Sequence, residues 1–147
     1  MLTSEPNAGQ QLLTALFAAF NTGADDVLRL FAAQAVVEFP YAASVGSVAR
    51  FTRDEYHQYL TKVLPTIPHL RYGELHVYPL QAEGQYFAEM HASTTMPSTG
   101  LPYEQDYVIY CTIADGHFTH FREYWNPVTW LRASGGEQAM HSILNPQ

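Results

Sequence analysis

The sequence predicts an α+β fold in which N-terminal helices pack on a curved antiparallel sheet. Two observations lead to this class. Apolar residues recur at helical spacing early in the chain, and long runs with strand-like character follow between turn signals later on. Helices that precede antiparallel strands pack together on one face of the sheet. A sheet curved around those helices leaves a cone with an apolar interior.

The first two helices are predicted from apolar spacing and stop signals. In residues 10–20, leucine and phenylalanine recur at helical intervals and form one stripe. Gly23 follows as a C-terminal stop. A short second helix is predicted over residues 25–33, where Asp25 and Asp26 suit a helix N-terminus. The two helices are expected to pack against each other.

Two later helices are predicted from their end signals. Thr52 and Glu55 match a capping box, in which each side chain satisfies a free backbone N–H. A third helix is therefore expected from about Arg53 to Leu64, where a proline-rich segment ends it. Asn126 caps a final helix with the sequence "PVTWLRA".

The strands are predicted from β-favouring residues and turn signals. Val36 and Val37 lie in a short strand that Pro40 closes, and "ASVGSVAR" after it is predicted as a loop. The segments "QAEG", "PSTG" and "ADG" separate the later strands, and Asp115-Gly116 is the sharpest hairpin signal. The later strands are expected over Leu70–Tyr78, Gln85–Thr95, Tyr103–Ala114 and His117–Trp125.

Composition bears on partners and location. The 147 residues suit a single domain, residues 1–147, and the formal net charge of −7 would repel nucleic acid and anionic membranes. No apolar run approaches the ~18 residues of a membrane span, and "MLTSEPNAGQ" lacks the features of a signal peptide. The lone Cys111 excludes an internal disulfide and is expected to be a small buried hydrophobe. A cytoplasmic protein with no nucleic-acid or membrane partner is expected.

Motifs for several kinds of chemistry are missing from the sequence. It contains no Gly-rich phosphate loop, no G-x-S-x-G, no cysteine cluster and no H-E-x-x-H. His117 and His120 are three residues apart, an offset that sends them to opposite faces of a strand. Glu89 and His91 share a strand face that is expected to point to solvent or to a partner subunit. No metal and no cofactor are expected.

Glu123 is the leading candidate for a catalytic residue. In the segment "FTHFREYWNP", strand alternation places Phe121, Glu123 and Trp125 on one aromatic face and His120 and Arg122 on the other. A carboxyl group in an apolar pocket resists ionisation, so its pKa rises toward neutral pH and it can exchange protons. The structural alternative is a buried carboxylate bonded to tyrosine or arginine, or an edge residue.

The order of elements, with "VVEFPYA", "MPSTGLPYEQDYVIYCTIADGHF" and "FREYWNPVTWLRA", resembles the SnoaL-like group of the nuclear transport factor 2 and ketosteroid isomerase superfamily. The resemblance covers roughly residues 10–133. It implies a cone-shaped α+β barrel, usually dimeric through the outer sheet face, with an apolar pocket. Ketosteroid isomerase has an aspartate base where this chain has Phe39, and its two oxyanion-hole positions fall at Leu16 and Ile109. The resemblance therefore implies that steroid isomerisation by those residues is lost.

Phenazine-biosynthesis proteins of the same superfamily carry a similar "REF…N" stretch. Its glutamate, an acid/base in a condensation, matches Glu123, and the histidine partner on their third helix falls at Tyr59, with His57 two residues away. SnoaL-type cyclases also use a carboxylate near this strand end without metal or cofactor. The resemblance thus implies cofactor-free proton transfer in the cone.

Two functions follow as hypotheses. The first is an isomerase, cyclase or dehydratase that binds a small apolar ligand, either carbonyl-bearing or polycyclic, with Glu123 as acid/base. The second is a non-catalytic ligand-binding or accessory dimer of the same fold; a protein-interaction module is a third possibility. A second polar group facing Glu123 across the pocket would favour the enzyme. The expected pocket wall consists of Phe39, Tyr41, Tyr59, Tyr86, Met90, Ile109, Phe121 and Trp125.

A homodimer is also predicted. Val108, Tyr110 and Tyr124 share the sheet face opposite to the pocket and are too apolar to be left in water. Their patch is expected to form the contact between two copies of the chain.

Overall fold

Helices and strands of the computed structural model follow the predicted order, and the structure describes residues 6–136, 138, 142, 144 and 145. The helices are α1 (Ala8–Phe20), α2 (Ala24–Leu28), α3 (Arg53–Val63) and α4 (Pro127–Ala133). The strands are β1 (Phe31–Glu38), β2 (Arg50–Thr52), β3 (Arg71–Tyr72), β4 (His76–Pro79), β5 (Gln85–Thr95), β6 (Pro102–Ala114) and β7 (His117–Tyr124). Short 3-10 helices occupy Ala42–Val45 and Leu64–Thr66.

The strands form one open sheet in the order β2-β1-β7-β6-β5-β3, and β4 also pairs with β5. All pairs are antiparallel except β1 and β7, which run parallel, with Val37 opposite Phe121. This pair corrects the prediction of a purely antiparallel sheet. A tight hairpin dictates antiparallel pairing only for strands that are close in sequence, and β1 and β7 are far apart in the chain. The predicted α+β class with helices on one face is confirmed.

The start of β1 corrects the predicted second helix. Helix α2 ends at Leu28, and the chain enters the sheet at Phe31, which lies opposite Phe118 of β7. The helical pattern of residues 25–33 is overridden because tertiary pairing with β7 outweighs local propensity. The stripe on α1 is confirmed, since Leu13, Leu16 and Phe17 are buried.

Both predicted caps are present. Thr52 Oγ1 accepts from the Glu55 backbone N–H at 3.2 Å, and the Thr52 N–H donates to the Glu55 carboxylate at 2.9 Å. Asn126 accepts from the backbone N–H of Val128 at 3.0 Å, with Pro127 as the first residue of α4. These caps hold the ends of α3 and α4 near the interior.

The predicted strand over Leu70–Tyr78 is interrupted. Tyr72 pairs with Ala92 and His76 with Glu89, so three residues on one side face two on the other. This bulge divides the segment into β3 and β4. The structure also adds β2, which begins at Arg50, the last residue of the segment predicted as loop. The bounds of β5, β6 and β7 agree with prediction to within a residue, and Asp115 and Gly116 form the expected turn with positive φ values of 52° and 76°.

The core lies between the inner face of the sheet and helices α1 and α3. Phe31 of β1 packs against Tyr56 of α3 with ring centroids 5.4 Å apart. Cys111 is fully buried, as predicted, and burial raises the pKa of its thiol to about 12. Among the described residues, no helix is long and apolar enough to cross a membrane.

Candidate active site

Glu123 lies on the inner face of β7, near the end of the strand. Its cross-strand neighbour in β6 is Ile109, which is fully buried. Phe121 and Trp125, two residues to either side, are buried as well, so the three side chains share the interior face. Only 8% of Glu123 is exposed to solvent. The structure thus holds a carboxyl group among apolar side chains.

A cavity lies in front of Glu123, between the helices and the sheet. The described residues that line it include no lysine, arginine or histidine. Within that lining, Glu123 is the only side chain whose pKa range approaches neutral pH, because the other ionisable groups are tyrosines. The lining consists of Phe17, Phe20, Phe39, Tyr56, Tyr59, Leu60, Val63, Leu64, Ile67, Leu70, Tyr72, Tyr103, Tyr107, Glu123, Trp125, Trp130 and Leu144.

Five aromatic residues form a continuous part of this wall. Phe39 packs against Tyr59 of α3 with ring centroids 5.4 Å apart, and against Trp125 at 6.2 Å. Trp125 lies 6.5 Å from Trp130 of α4, and Tyr103 meets Trp130 edge to face at 5.2 Å. Aromatic pairs of this kind add about 0.5–1.5 kcal/mol each beyond area burial. The wall is therefore held together by its own packing.

The Glu123 carboxyl has no hydrogen-bond or ion-pair partner among the described residues. Burial raises its pKa from 4.5 to about 8, because the loss of water disfavours the charged form. At pH 7 the protonated acid is therefore the main form in the cavity. A carboxyl group with a pKa near the working pH is suited to give a proton to a bound molecule and to take one back.

Five tyrosine hydroxyls surround Glu123. Burial raises the pKa of each hydroxyl, and the negative charge of an ionised Glu123 raises it further. All five therefore stay protonated and keep an O–H that can donate a hydrogen bond. They are Tyr56, Tyr59, Tyr72, Tyr103 and Tyr107.

Two of these hydroxyls are joined to each other. The Oη atoms of Tyr103 and Tyr107 are 2.8 Å apart, and both side chains are buried. Gln105, between them on the same face, binds the start of α4: its Nε2 donates to the Asn126 carbonyl at 3.1 Å, and its Oε1 accepts from the Asn126 N–H at 2.8 Å. This part of β6 is thus fixed against the C-terminal helix.

Two other polar atoms in the lining residues are enclosed. The Tyr72 hydroxyl and the Trp130 indole N–H are buried and have no hydrogen-bond partner among the described residues. A buried donor without a partner destabilises a fold by about 1–3 kcal/mol. The aromatic wall therefore carries unsatisfied polar groups as well as the unpaired Glu123.

Arg122 points away from the cavity. On the outer face of the sheet, His120 Nε2 hydrogen-bonds to Glu38 Oε1, and Arg122 Nη2 donates to the same oxygen at 3.4 Å. The hydrogen bond from His120, followed by the Arg122 charge, lowers the pKa of Glu38 despite partial burial. Arg122 is thus engaged by Glu38, and its guanidinium also lies over the Tyr110 ring at 5.5 Å.

Three of the expected wall residues join Glu123 in the cavity lining. Phe39, Tyr59 and Trp125 all lie there. Phe39 directly follows the last residue of β1, Trp125 directly follows the last residue of β7, and Tyr59 lies in α3. The parallel pairing of β1 with β7 brings the first two together, a contact that could not be read from the sequence order.

Three more expected wall residues lie deeper in the core. Met90, Ile109 and Phe121 are buried but outside the cavity lining. Phe121 is covered by Phe31 and Phe118, with ring centroids at 5.8 Å and 5.4 Å. The cavity is therefore displaced along the sheet toward Tyr103 and α4, and these side chains pack beneath it.

The remaining two expected wall residues lie elsewhere. Tyr41 is 53% exposed and packs against Tyr124, with ring centroids 5.4 Å apart. It falls after β1 has ended, so strand alternation does not direct it inward. The Tyr86 ring lies against α1 at Gly9, where an added Cβ would approach ring atoms to 2.5 Å. Tyr86 is thus covered by the first turn of α1 and is outside the cavity lining.

The positions taken from family resemblance are also located. Leu16 and Ile109 are fully buried and outside the cavity lining, whereas Tyr59 lies within it. His57 Nε2 pairs with Asp25 Oδ1 at 2.7 Å, away from the lining. Glu89 and His91 are exposed, as predicted.

Several lining residues were not identified from the sequence. Tyr103 and Tyr107 lie on the same face of β6 as Ile109, so strand alternation alone could have indicated them. Tyr56 lies one helical turn before Tyr59 and Leu60 and follows the buried stripe of α3. The described residues contain no group of three or more histidine, cysteine, aspartate or glutamate side chains able to hold a metal ion.

Sequence comparison finds a family and a relative. Residues 13–121 match the SnoaL-like domain. An uncharacterized PhzA/B-like protein of Pseudomonas aeruginosa is 28% identical over 138 residues, which cover 94% of this chain and 97% of that protein. These matches confirm the resemblance to SnoaL-like and phenazine-biosynthesis proteins predicted from the sequence.

Solved structures share the fold. A Bacillus subtilis protein provisionally called an isomerase has a TM-score of 0.77 at 28% identity, covering 89% of this chain and 97% of that one. A protein with a ketosteroid isomerase-like fold from Catenulispora acidiphila has a TM-score of 0.71 at 18% identity, with 86% and 93% covered. A Xanthomonas campestris protein provisionally called a polyketide cyclase has a TM-score of 0.70 at 18% identity, with 86% and 96% covered. The last two likenesses concern the fold alone.

Proposed function

The chain belongs to the SnoaL-like domain family, and we propose that its cavity binds a small, largely apolar, carbonyl-bearing molecule with which Glu123 exchanges a proton. One observation carries this proposal: the Glu123 carboxyl is buried in an aromatic cavity and has no partner among the described residues. A buried carboxyl group without a partner destabilises a fold. Such an arrangement is typical of a site whose partner is a ligand.

The cavity lining supports an uncharged ligand. It has no basic side chain among the described residues, so an anionic ligand would enter without a counter-ion and next to a carboxyl group. Aromatic rings and aliphatic chains instead favour a flat apolar molecule. A carbonyl oxygen on that molecule would find tyrosine O–H donors nearby.

The chemistry proposed for Glu123 is proton transfer at carbon. As the carboxylate, it removes a proton from the carbon next to the carbonyl group; as the acid, it returns that proton to the same or another carbon. Return to another carbon gives an isomerisation, and related proton transfers permit ring closure or loss of water. This proposal assigns no step to a metal or a cofactor. The Bacillus subtilis and Xanthomonas campestris proteins with this fold carry isomerase and polyketide cyclase designations, which agree with this class.

The test follows proton exchange directly. One- and two-ring ketones are incubated with the protein in D2O, and loss of the α-proton signal is measured by NMR. Glu123→Gln keeps the shape but cannot exchange a proton, so the rate should fall on the order of 100-fold. Glu83→Gln is the matched control, since Glu83 is exposed in the turn between β4 and β5 and lies outside the cavity lining, and it should keep the wild-type rate. Equal rates for the wild type and both variants would contradict the proposal.

A non-catalytic binder is the second candidate, and Phe39 favours it. This side chain stands where ketosteroid isomerase, by resemblance, has its catalytic aspartate, and it is buried in the aromatic wall. Ligand binding without faster exchange in any ketone would support this candidate. Mass spectrometry of a ligand that copurifies with the protein would then identify what the cone holds.

The proposal includes a homodimer formed through the outer face of the sheet. Val108, Tyr110 and Tyr124 lie there and are each only partly buried in the single chain. A second copy would cover this apolar surface. Sedimentation equilibrium should give a dimer that dissociates below ~1 μM. A monomer at concentrations of tens of micromolar would contradict this part of the proposal.

A further inference from the structure

The Tyr103 and Tyr107 hydroxyls leave one donor unused. Each hydroxyl has one O–H, and a single hydrogen bond of 2.8 Å joins the two oxygens. One O–H is used within the pair, whichever residue donates. The other O–H makes no hydrogen bond to an acceptor among the described residues. Gln105 lies close enough to Tyr103 to lower the pKa of that hydroxyl, but the Gln105 amide oxygen already accepts from the Asn126 N–H. A donor polarised by a second hydroxyl is stronger than an isolated one, because hydrogen bonds in a chain reinforce each other.

The position of the pair relative to Glu123 follows from strand register. Ile109 is opposite Glu123, so Tyr107 is the diagonal neighbour of Glu123 on the same inner face. Diagonal neighbours across an antiparallel pair lie about 7–8 Å apart at the backbone, within reach of long side chains. Tyr103 continues the row toward Trp130. The Glu123 carboxyl group and the hydroxyl pair of Tyr103 and Tyr107 therefore lie beside each other in the cavity lining.

We infer that the Tyr103–Tyr107 pair donates a hydrogen bond to the carbonyl oxygen of the ligand while Glu123 faces the adjacent carbon. This inference rests on the proposed function and names the second polar group of the same site. When Glu123 removes a proton from that carbon, the electron pair of the broken C–H bond forms the carbon–carbon double bond of the enolate, and the π pair of the carbonyl group moves onto its oxygen. The hydroxyl pair stabilises the negative charge that develops there, and the charge disappears when Glu123 returns the proton.

The size of the cavity guides the choice of probe. The space open to the centre of a water molecule is about 50 Å³, and a single water needs about 10–15 Å³ on that scale. A molecule of one or two fused rings is therefore a better probe than a steroid. Indan-1-one carries one carbonyl oxygen on a two-ring frame. Indane has the same frame without the oxygen, so the two compounds isolate the contribution of the acceptor.

The experiment measures the carbonyl bond itself. Indan-1-one labelled with carbon-13 at the carbonyl is bound to the full chain, and its C=O stretching band is recorded by difference infrared spectroscopy. A hydrogen bond to the oxygen lowers the frequency of this band. The band should lie lower in the wild type than in Tyr107→Phe and Tyr103→Phe. Tyr78→Phe is the control, since Tyr78 is half exposed and outside the cavity lining, and it should match the wild type.

Binding constants provide the second measurement. The wild type should prefer indan-1-one over indane by up to about tenfold, which corresponds to about 1.4 kcal/mol. In the two tyrosine variants this preference should fall close to one, while the affinity for indane is unchanged. Retained affinity for indane also establishes that the variants keep a folded cavity.

The outcomes separate this inference from the function on which it rests. If both compounds bind but the carbonyl band is the same in the wild type and both tyrosine variants, the pair is not the donor and the inference is wrong. If the variants instead shift only the pKa of Glu123, the pair serves the carboxyl group and not the ligand, which also overturns it. If neither compound binds, the proposed small-ligand function fails together with the inference.

Discussion

Glu38 and Glu123 lie on opposite faces of the same pair of strands and behave in opposite ways. Both carboxyl groups start from an ordinary pKa of 4.5. The hydrogen bond from His120 and the charge of Arg122 lower the pKa of Glu38 on the outer face. Burial without any such partner raises that of Glu123 to about 8 on the inner face. The partners of a carboxyl group, and not its place in a strand, therefore decide whether it is structural or able to exchange protons.

The largest effect expected from this comparison is on the pH dependence of stability. The folded state holds the Glu123 proton up to about pH 8, whereas the unfolded chain releases it near pH 4.5. The free energy of unfolding should therefore fall as pH rises through this window. The whole window corresponds to about 5 kcal/mol at about 1.4 kcal/mol per pKa unit. Urea denaturation from pH 5 to pH 8 should give a flatter curve for Glu123→Gln than for the wild type.

Two checks can contradict this prediction. Parallel stability curves for the wild type and Glu123→Gln would mean that Glu123 ionises equally in both states. Carbon-detected NMR of the Glu123 carboxyl provides the direct measurement, and a pKa at or below 4.5 would mean that burial does not keep the proton on this group. Glu83→Gln, at an exposed turn position outside the cavity lining, should follow the wild-type curve throughout.

The second effect compares packing on the two faces. Phe121 is fully buried beneath the cavity, between Phe31 and Phe118. Phe121→Ala should therefore destabilise the fold by about 3–5 kcal/mol through lost contacts and a new void. Phe87 lies on the outer face and is only partly buried in the single chain, so Phe87→Ala should cost less than half as much below the ~1 μM at which the proposed dimer dissociates. Thermal unfolding of both variants measures the difference in stability. Equal losses of stability would contradict the prediction that packing contributes more on the inner face of the sheet than on the outer face.

Much of the fold could be predicted because its signals are local. The capping box at Thr52 and the turn at Asp115-Gly116 each specify an element boundary through neighbouring residues alone. What could not be predicted depends on distant pairing. The early start of β1 at Phe31 and its parallel alignment with β7 are contacts between the two ends of the domain. No residue pattern within β1 indicates which strand lies beside it.

The candidate site also has one part that could be predicted from the sequence and one part that could not. Alternation along β7 is local, so the inward direction of Glu123 and the outward direction of Arg122 followed from the sequence. The cavity itself is formed where α3, β6 and α4 meet, and its location along the sheet depends on how those elements pack. For this reason Met90 and Ile109 were expected in its wall but lie beneath it, while Tyr103 and Tyr107 were missed.

The smallest effect concerns the paired carboxyl group. Glu38 has a lowered pKa, so its contribution to stability is complete above about pH 4.5 and is lost as pH falls through the folded value. Glu38→Gln keeps the shape but removes the charge that binds His120 and Arg122, and about 24% of the Glu38 side chain is exposed. The loss at pH 7 should be about 1 kcal/mol, as for a partly screened ion pair. At pH 3 the wild type and Glu38→Gln should differ less, because Glu38 is then protonated for a larger part of the time.

Glu104→Gln, at an exposed position of β6, is the control and should match the wild type at both pH values. A loss for Glu38→Gln that is as large at pH 3 as at pH 7 would mean that packing, and not charge, holds this side chain. Since the prediction for Glu123 has the opposite sign, urea denaturation of the two variants over one pH series tests whether the two faces of the sheet treat a carboxyl group differently.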